Sequence, residues 1–139
     1  MSRIKLQMPE HYNFSTSIPI RISDINYGNH VGNDAVLSLI HEARVQFLAA
    51  RGFTELNCGG VGLIMSDAGI EFKKEIFYGD VVSAFVTATN FSSIGFDLYY
   101  KLQTNEKAAV LAKTAMICYD YEKKKIAQVP EIVREKLNA

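Results

Sequence analysis

The stretch RISDINYGNHVGNDAVLSLIHEARVQFLAARG, from Arg21 to Gly52, decides the fold. It begins as the end of a strand, passes through a polar turn rich in Asn, Asp, His and Gly, and continues as one long helical pattern. The apolar positions of that helix form two rows, Val36, Ile40, Ala43, Phe47 and Ala50, and then Leu37, Leu39 and Leu48. An apolar stripe this wide predicts a helix buried in the core rather than one lying on the surface.

The ends of the helix can be predicted from capping residues. Asn33 and Asp34 are good N-cap residues, so the helix is expected to begin near them. Gly52 suits the position after the last turn, where a positive φ is common. In the preceding turn, from Ser23 to Asp34, Gly28 and Gly32 are expected to supply positive φ angles.

A strand precedes the turn. Residues 14–22, FSTSIPIRI, alternate at Ile18, Ile20 and Ile22 with the period of a half-buried strand. Pro19 lacks a backbone donor, which predicts an edge position for this strand.

Beyond the helix, alternating apolar residues and short polar turns predict further strands. These are Leu63 to Ile76, Val81 to Asn90, Phe96 to Leu102 and Ala108 to Tyr119. Pro130 is expected to start a short terminal helix, EIVREKL. Short connections make the strands an antiparallel meander, so the class is α+β, with a long central helix wrapped by a curved sheet of about five strands. Such a sheet leaves edges unpaired, which favours a homodimer or homotetramer.

The composition excludes several classes of function. The 139 residues form one predicted domain, residues 1–139, with 48% hydrophobic residues and a net charge of zero. A neutral chain gives no reason to expect nucleic acid as the main partner, and no apolar run has the length of a membrane span. Cys58 and Cys118 are too few for a disulfide framework, so a reducing, cytoplasmic location is expected. No metal-ligand spacing and no nucleotide-binding glycine motif is present, so no metal and no cofactor is expected.

The residues of the turn and helix resemble a known family. Arg21, Asp24, His30, Val31 and Asn33 match the pattern R-x-x-D-x-D-x-x-G-H-V-N-N, and the helix matches its continuation at Glu42-Ala43-Arg44 and Phe47-Leu48. This pattern is typical of the hotdog-fold acyl-CoA thioesterases of the 4-hydroxybenzoyl-CoA thioesterase type. Downstream, Ile70-Glu71-Phe72 and Gly79-Asp80 resemble the second strand of that family and the turn that closes it. The resemblance implies a hotdog fold and hydrolysis of an acyl-CoA or acyl-carrier thioester, with coenzyme A as part of the substrate.

The chain departs from the family pattern at three positions. The second aspartate, which the family typically uses as nucleophile or general base, aligns with Asn26. The glycine before the histidine is Asn29, and the first asparagine of the run is Gly32. An amide cannot take a proton from water as a carboxylate can, so the change at Asn26 bears directly on catalysis.

Three residues of the turn, Asp24, Asn26 and His30, are the predicted catalytic group. If the strand continues through the turn, residues 24 and 26 share a face, so Asp24 would reach a water that Asn26 orients. The alternative for Asp24 is a turn former that binds nearby amides. His30 either assists proton transfer or ties the loop together.

The helix N-terminus is the predicted oxyanion site, because its unpaired amides and partial positive charge suit a developing negative charge. The residues expected to bind the substrate carbonyl there are Val31, Gly32, Asn33 and Asp34. Glu42 is a second candidate base, since related hotdog enzymes can use a helix carboxylate. An ion pair with Arg44 or a neighbouring strand is the alternative for Glu42.

Other charged and apolar residues have predicted roles around the substrate. Lys73, Lys74 and Lys123–Lys125 would either contact the phosphates of coenzyme A or form a solvated face. Asp67 would point into a cleft at a subunit interface or lie on the solvent face. The acyl chain is expected to lie between helix and sheet at the subunit interface, lined by Val36, Leu37, Ile64, Met65 and Phe72.

The leading functional prediction is thioester hydrolysis to free acid and thiol. Two alternatives remain open at this point: a non-hydrolytic module that binds acyl thioesters, and a hotdog hydratase or dehydratase. The aspartate and histidine motif usual for the hydratases is not found here. Release of free thiol distinguishes hydrolysis from both alternatives.

Overall fold

The computed structural model describes the whole chain, residues 1–139, as a single sheet with two helices. The elements in chain order are β1 (Phe14–Pro19), α1 (Asn33–Ala50), β2 (Gly62–Phe72), β3 (Val81–Thr89), β4 (Gly95–Thr104), β5 (Lys107–Asp120), β6 (Lys125–Ile126) and α2 (Glu131–Leu137). A short 3₁₀ turn, Ile22–Asp24, lies between β1 and α1. The sequence pattern predicted every element except β6 and this turn.

The sheet is antiparallel throughout, with the order β1-β3-β4-β5-β2, and β6 pairs with the end of β5. The predicted α+β class and antiparallel sheet are confirmed. The predicted meander is correct for β3, β4 and β5 but wrong for β2, which joins the far side of the sheet beside β5. Residues 73–80 make the crossing possible, because they run past the end of the sheet, where the Asp80 carbonyl accepts the amide of Ile20 at 3.1 Å.

Two strands end earlier than their sequence patterns predicted. The predicted alternation fails at Ile22, whose side chain is 71% exposed, because the chain leaves β1 after Pro19 and turns into the 3₁₀ segment. β2 ends at Phe72 rather than Ile76, because the amides of Lys73 and Lys74 both turn to the Ala109 carbonyl, at 2.8 and 3.2 Å. Apolar periodicity continues in both places after strand geometry has ended.

The core lies between α1 and one face of the curved sheet. The buried apolar side chains of the helix are Val36, Leu39, Ile40, Ala43, Phe47 and Leu48. They pack with inward residues of the three central strands, among them Val82, Val86, Leu98, Tyr100, Leu102, Val110 and Met116. Each large side chain buried in this way stabilises the fold by roughly 1.5–3 kcal/mol. The predicted core positions Leu37 and Ala50 are exposed, so the buried stripe is narrower than expected.

The ends of α1 differ in how well the sequence predicted them. Gly52 follows the C-cap with a φ of +81°, as expected for a glycine after the last turn. At the other end Gly32 is the N-cap, and Asn33 and Asp34 are the first helical residues. The prediction that Asn33 or Asp34 would cap the helix is therefore wrong by one residue or two. Neither helix has the length and apolar character needed to cross a membrane.

The two edges of the sheet have different character. β1 occupies one edge, as Pro19 predicted, and its unpaired side faces away from β3. β2 occupies the other edge and pairs only with β5. Met65 and Phe72 on β2 are 46% and 52% exposed, so apolar side chains accompany an unpaired backbone at this edge.

Gly95 lies where β4 and β5 approach each other closely. A Cβ at this position would lie 2.3 Å from the Met116 carbonyl oxygen, and a backbone atom in a sheet cannot move aside cheaply. We expect Gly95→Ala to lower the free energy of unfolding by about 1–3 kcal/mol, the usual cost of overpacking. Urea denaturation would measure it, with Ser93→Ala as the control, since Ser93 is exposed. An unchanged midpoint for Gly95→Ala would contradict the register of these strands.

Candidate active site

The polar turn before α1 is closed by its own backbone. Ile25 and Val31 form a bridge, the Asn26 amide donates to the His30 carbonyl at 3.0 Å, and the Asn29 amide donates to the Asn26 carbonyl at 3.1 Å. The residue with positive φ in this turn is Asn29, at +66°, and neither Gly28 nor Gly32 adopts such an angle. The predicted roles of the two glycines are therefore wrong, because asparagine also tolerates the left-handed region.

Asn26 lies at the N-terminus of α1. Its Oδ1 accepts the Gly28 amide at 2.8 Å, which leaves the Nδ2 group to face Gly32, 3.4 Å from where a Cβ of that residue would stand. Nδ2 donates no hydrogen bond within the chain. At the position where the family pattern has a carboxylate, this chain therefore has a free donor beside the first turn of the helix.

The amides of the helix N-terminus divide into occupied and free groups. The Val31 amide donates to the Ile76 carbonyl at 2.8 Å, and the Gly32 amide donates to the Asp24 carbonyl at 3.4 Å. The first helical bond is from the Val36 amide to the Gly32 carbonyl, and no side chain caps the helix. The unpaired amides are therefore those of Asn33, Asp34 and Ala35. Of the residues predicted to bind the oxyanion, Val31 and Gly32 have paired amides, and Ala35 was not predicted.

A cavity of about 190 Å³, here called the His30 cavity, is lined by Asn33, the first of these three residues. Its lining residues are His30, Val31, Asn33, Val36, Phe72, Lys73, Lys74, Glu75, Ile76 and Val110. One wall is apolar and the other carries the imidazole, two lysines and a glutamate. A cavity with an apolar wall and a few convergent polar groups is the usual form of a small-molecule site.

His30 is held in a defined orientation. Its Nδ1 lies 3.0 Å from the Val31 carbonyl oxygen, and because a carbonyl only accepts, Nδ1 carries the proton of the neutral ring. Nε2 then has a free lone pair, with a Glu75 carboxylate oxygen 3.9 Å away. This arrangement can accept a proton at Nε2 and place the resulting positive charge beside a carboxylate.

Asp24 is buried but lies elsewhere. It belongs to the 3₁₀ turn, so the expectation that strand alternation would place it beside Asn26 on one face is wrong. One carboxylate oxygen accepts the Arg21 amide at 2.8 Å, and the other lies 3.8 Å from the guanidinium of Arg21. Its side chain lines a second cavity, of about 430 Å³, between β1 and the outer side of α1, and His30 does not line that cavity.

Glu42 lines the same second cavity as Asp24. It is exposed and accepts a hydrogen bond from Gln46 at 2.7 Å. The predicted alternative of an ion pair with Arg44 is wrong, because Arg44 is buried and pairs with Glu55 at 2.7 Å. The structure therefore separates two of the predicted site residues, Asp24 and Glu42, from the group around His30.

The lysines and Asp67 that were predicted to lie around the substrate are found in different parts of the structure. Lys73 and Lys74 line the His30 cavity, where Lys73 lies 3.3 Å from Glu71 and Lys74 donates to the Thr104 carbonyl at 3.2 Å. Lys123 and Lys124 lie in the turn between β5 and β6, and Lys125 is the first residue of β6. Asp67 is exposed on the edge strand β2 and accepts from Lys113 at 2.9 Å.

The predicted acyl-lining residues line two cavities along β2 and α1. Val36 and Phe72 line the His30 cavity, whereas Leu37 and Met65 line a neighbouring one. Ile64 is 37% exposed. Sequence reasoning assigned no site role to Glu75 and Ile76, because it placed them in the strand after α1, whereas they lie in the loop that follows β2.

Comparison with solved structures identifies the fold. A 1,4-dihydroxy-2-naphthoyl-CoA thioesterase from Synechocystis superposes with a TM-score of 0.81 at 22% identity, over 89% of this chain and 94% of that one. A hypothetical protein from Aquifex aeolicus gives a TM-score of 0.83 at 24% identity, over 90% and 99%. A thioesterase from Thermus thermophilus, complexed with coenzyme A and Zn, gives 0.80 at 19% identity, over 93% and 100%. The architecture is the hotdog fold.

Sequence comparison gives the family. A search of curated proteins returned no match. The family model of the thioesterase-like superfamily matches residues 20–137, which include the polar turn, both helices and every strand except β1. The chain therefore belongs to the thioesterase-like superfamily.

Proposed function

We propose that this protein hydrolyses acyl-CoA thioesters at the N-terminus of α1. The observation that carries the proposal is that His30 and Asn33, the first residue of α1 with an unpaired amide, line one cavity together with apolar residues. Membership of the thioesterase-like superfamily supports the reaction class. Fold alone does not fix function, so the proposal depends on these residues.

The free amides supply the electrostatic part of the reaction. The thioester carbonyl oxygen faces the amides of Asn33, Asp34 and Ala35, where the helix dipole and the unpaired N–H groups stabilise the oxyanion that develops. Asn26 Nδ2, which is also unpaired, adds a donor at the same place. Donors that are already aligned need no reorganisation when the charge appears, which is why such groups lower the barrier.

His30 supplies the proton transfer. Nε2 takes a proton from water as the water oxygen attacks the carbonyl carbon, and the tetrahedral intermediate then breaks its C–S bond. The departing thiolate receives that proton from the imidazolium, so that one water and one thioester give one acid and one thiol. Glu75 stabilises the imidazolium while it exists, from 3.9 Å. In this scheme Asn26 orients the water or the oxyanion and never acts as a base.

Asp24 acts as a positioning residue in this proposal. Its carbonyl accepts the Gly32 amide and its carboxylate accepts the Arg21 amide, so it joins both ends of the segment that leads into α1. The rival role is that of a base acting from the second cavity, which it shares with Glu42. The charge of Asp24 is needed only in the rival role, and this difference can be tested.

Coenzyme A is the proposed carrier of the acyl group. The Thermus thermophilus thioesterase with a similar fold is complexed with coenzyme A. In this chain Lys73 is 46% exposed at the rim of the His30 cavity, where its ammonium group can contact a phosphate. The same neighbour also contains Zn, but in this chain no group of three His, Cys, Asp or Glu residues lies close enough to hold a metal ion.

A homodimer joined along β2 is part of the proposal. The outer side of β2 is unpaired, and the exposed apolar residues Leu37, Ile64, Met65 and Phe72 lie on β2 or on the adjacent side of α1. Pairing two β2 strands would satisfy the free backbone groups and cover this surface. It would also close the cavities that open toward β2.

A non-hydrolytic binding module is the main rival function, and the specific observation that favours it is Asn26 in place of a carboxylate. A hotdog hydratase or dehydratase would act on the acyl group without cleaving the thioester. Both rivals leave the thiol esterified, so the same measurement tests all three.

Thiol release from acyl-CoAs, followed with a thiol reagent, is the direct test. The protein itself gives little background, because burial raises the pKa of Cys58 to about 12 and that of Cys118 to about 11, so both thiols stay protonated. We expect turnover by the wild type and a loss of about 100-fold or more in kcat for His30→Ala, the usual scale of a general base. His11→Ala, which removes an exposed histidine, is the control and should keep full activity. Unchanged turnover in His30→Ala would refute the role of His30, and no release from any acyl-CoA would favour the binding module.

Asp24→Asn separates positioning from catalysis. Because an amide oxygen can still accept the Arg21 amide, we expect kcat to stay within about tenfold of the wild type while stability falls by about 1 kcal/mol. Kinetics and urea denaturation should be measured on the same preparation. A folded variant whose kcat falls as far as that of His30→Ala would identify Asp24 as the base instead.

Met65→Lys tests the proposed dimer. A lysine at an unpaired strand edge opposes strand pairing between chains. We expect light scattering to give the mass of a dimer for the wild type and mainly that of a monomer for Met65→Lys. Ile126→Lys places the same charge on another exposed strand residue and should remain dimeric. A monomeric wild type would rule out the dimer.

A further inference from the structure

Three cavities, besides the one that Asp24 and Glu42 line, lie along α1 from its first turn to its last. The His30 cavity lies at the first turn. The next cavity along the helix, here called the Met65 cavity, has about 260 Å³ and is lined by Leu37, Ser38, Ile40, His41, Arg44, Met65 and Thr114. The third, here called the Phe53 cavity, has about 330 Å³ and is lined by Val45, Ala49, Phe53, Thr54, Glu55 and Leu56. An acyl chain that starts at the helix N-terminus and lies along α1 meets them in this order.

The ridge of α1 that connects the last two cavities is apolar except at one position. Residues Leu37, His41, Val45 and Ala49 are spaced by four and therefore lie on one side of the helix. Leu37 and Val45 are 47% and 44% exposed, so apolar surface is available on both sides of His41. His41 interrupts that surface.

An ion pair stands between the same two cavities. Arg44 lines the Met65 cavity and Glu55 lines the Phe53 cavity, and Nε of the arginine lies 2.7 Å from the Glu55 carboxylate. The same carboxylate oxygen is 3.3 Å from His41 Nε2. These three side chains, here called the partition, place the charged groups of both cavities between their apolar residues, whereas the other polar lining residues, Ser38, Thr54 and Thr114, are uncharged.

The partition cannot move aside easily. The Arg44 side chain is 9% exposed, and its other end donates to the Tyr100 hydroxyl at 3.2 Å. That hydroxyl is also 2.7 Å from Thr114 Oγ1, deep in the core. Withdrawing the guanidinium would leave a buried phenol and a carboxylate without their partner, which is costly.

We infer that the partition limits the length of the acyl chain that this protein accepts. The inference rests on the proposed hydrolysis of acyl-CoAs and adds the substrate class: acyl chains that end within the Met65 cavity. Each methylene buried against Leu37, Ile40 and Met65 favours binding about fourfold. A longer chain reaches His41 and Glu55, whose side chains are 55% and 29% exposed, and strips them of water without replacing its hydrogen bonds.

The geometry gives an approximate limit. The rise of about 1.5 Å per helical residue places His41 about 12 Å along the axis from Asn33, where the thioester carbonyl is bound in the proposed mechanism. An extended decanoyl chain has about this length. We therefore expect kcat/KM to rise about fourfold per methylene from butanoyl-CoA to near decanoyl-CoA and to fall for palmitoyl-CoA.

Replacing the partition with apolar side chains tests the inference. Arg44→Met combined with Glu55→Leu removes both charges at once, which avoids leaving either one unpaired. We expect the preferred acyl chain of this double variant to lengthen toward palmitoyl, because the Met65 and Phe53 cavities become one apolar path. His41→Leu, at a more than half-exposed position, should shift the preference in the same direction and is the variant to use should the double variant fail to fold.

A matched control removes an ion pair elsewhere. Lys113→Met with Asp97→Leu deletes a pair between β5 and β4, 3.6 Å long, that lines none of the three cavities. This control should keep the chain-length profile of the wild type. A wild type that hydrolyses palmitoyl-CoA as well as decanoyl-CoA, or a His41→Leu variant with an unchanged profile, would overturn the inference.

Binding measurements separate failure of this inference from failure of the proposed function. Calorimetry with non-hydrolysable acyl-CoA thioethers of the same chain lengths measures the affinity profile without turnover. If the protein binds the decanoyl but not the palmitoyl thioether and releases no thiol from acyl-CoAs, the inferred length limit is supported and the proposed hydrolysis is refuted. Equal affinity for both thioethers would overturn the length limit whether or not hydrolysis occurs.

Discussion

The burial of one side of α1 against the sheet is the interaction on which the rest of the structure depends. Ile40, Ala43, Phe47 and Leu48 are almost wholly inaccessible to water, which fixes both the rotation of the helix and its position along its axis. Because the helix is fixed, its N-terminus is fixed as well, although no side chain caps it. Uncapped helix ends are usually covered by solvent or ligands. Here the free amides open beside a cavity, so the packing of the core also prepares the proposed site.

The position of β2 follows from the same packing and makes the site accessible. The chain leaves α1, forms β2 at the far edge of the sheet, and returns past the end of the sheet through residues 73–80. This return segment holds Val31 through the Ile76 carbonyl and places Glu75 near His30. A simple meander would have placed β2 beside β3 and left the turn without this support. The crossing therefore connects the topology of the sheet to the geometry of the proposed catalytic histidine.

The sequence predicted the helix, the antiparallel strands and the hotdog architecture, because apolar periodicity and short turns are local signals that survive in the folded chain. The predictions from sequence failed where contacts between distant parts of the chain determine the position of a residue. Ile22 continues the strand pattern but is exposed, since the chain turns before it, and Asp24 consequently points into a different cavity from His30. The pairing of Arg44 with Glu55 rather than Glu42 depends on a loop that returns to the helix, and no spacing along the helix predicts it. Glu75 was missed for the same reason.

The loss of the usual carboxylate at Asn26 is compatible with hydrolysis when the charges at the helix N-terminus are considered together. A carboxylate at this position would face unpaired amides that also favour an oxyanion, so the two negative groups would compete for the same donors. In the proposed mechanism Asn26 avoids that competition and adds a donor, and His30 accepts the proton. In the proposed mechanism, stabilising negative charge and accepting a proton are therefore assigned to different residues of the turn.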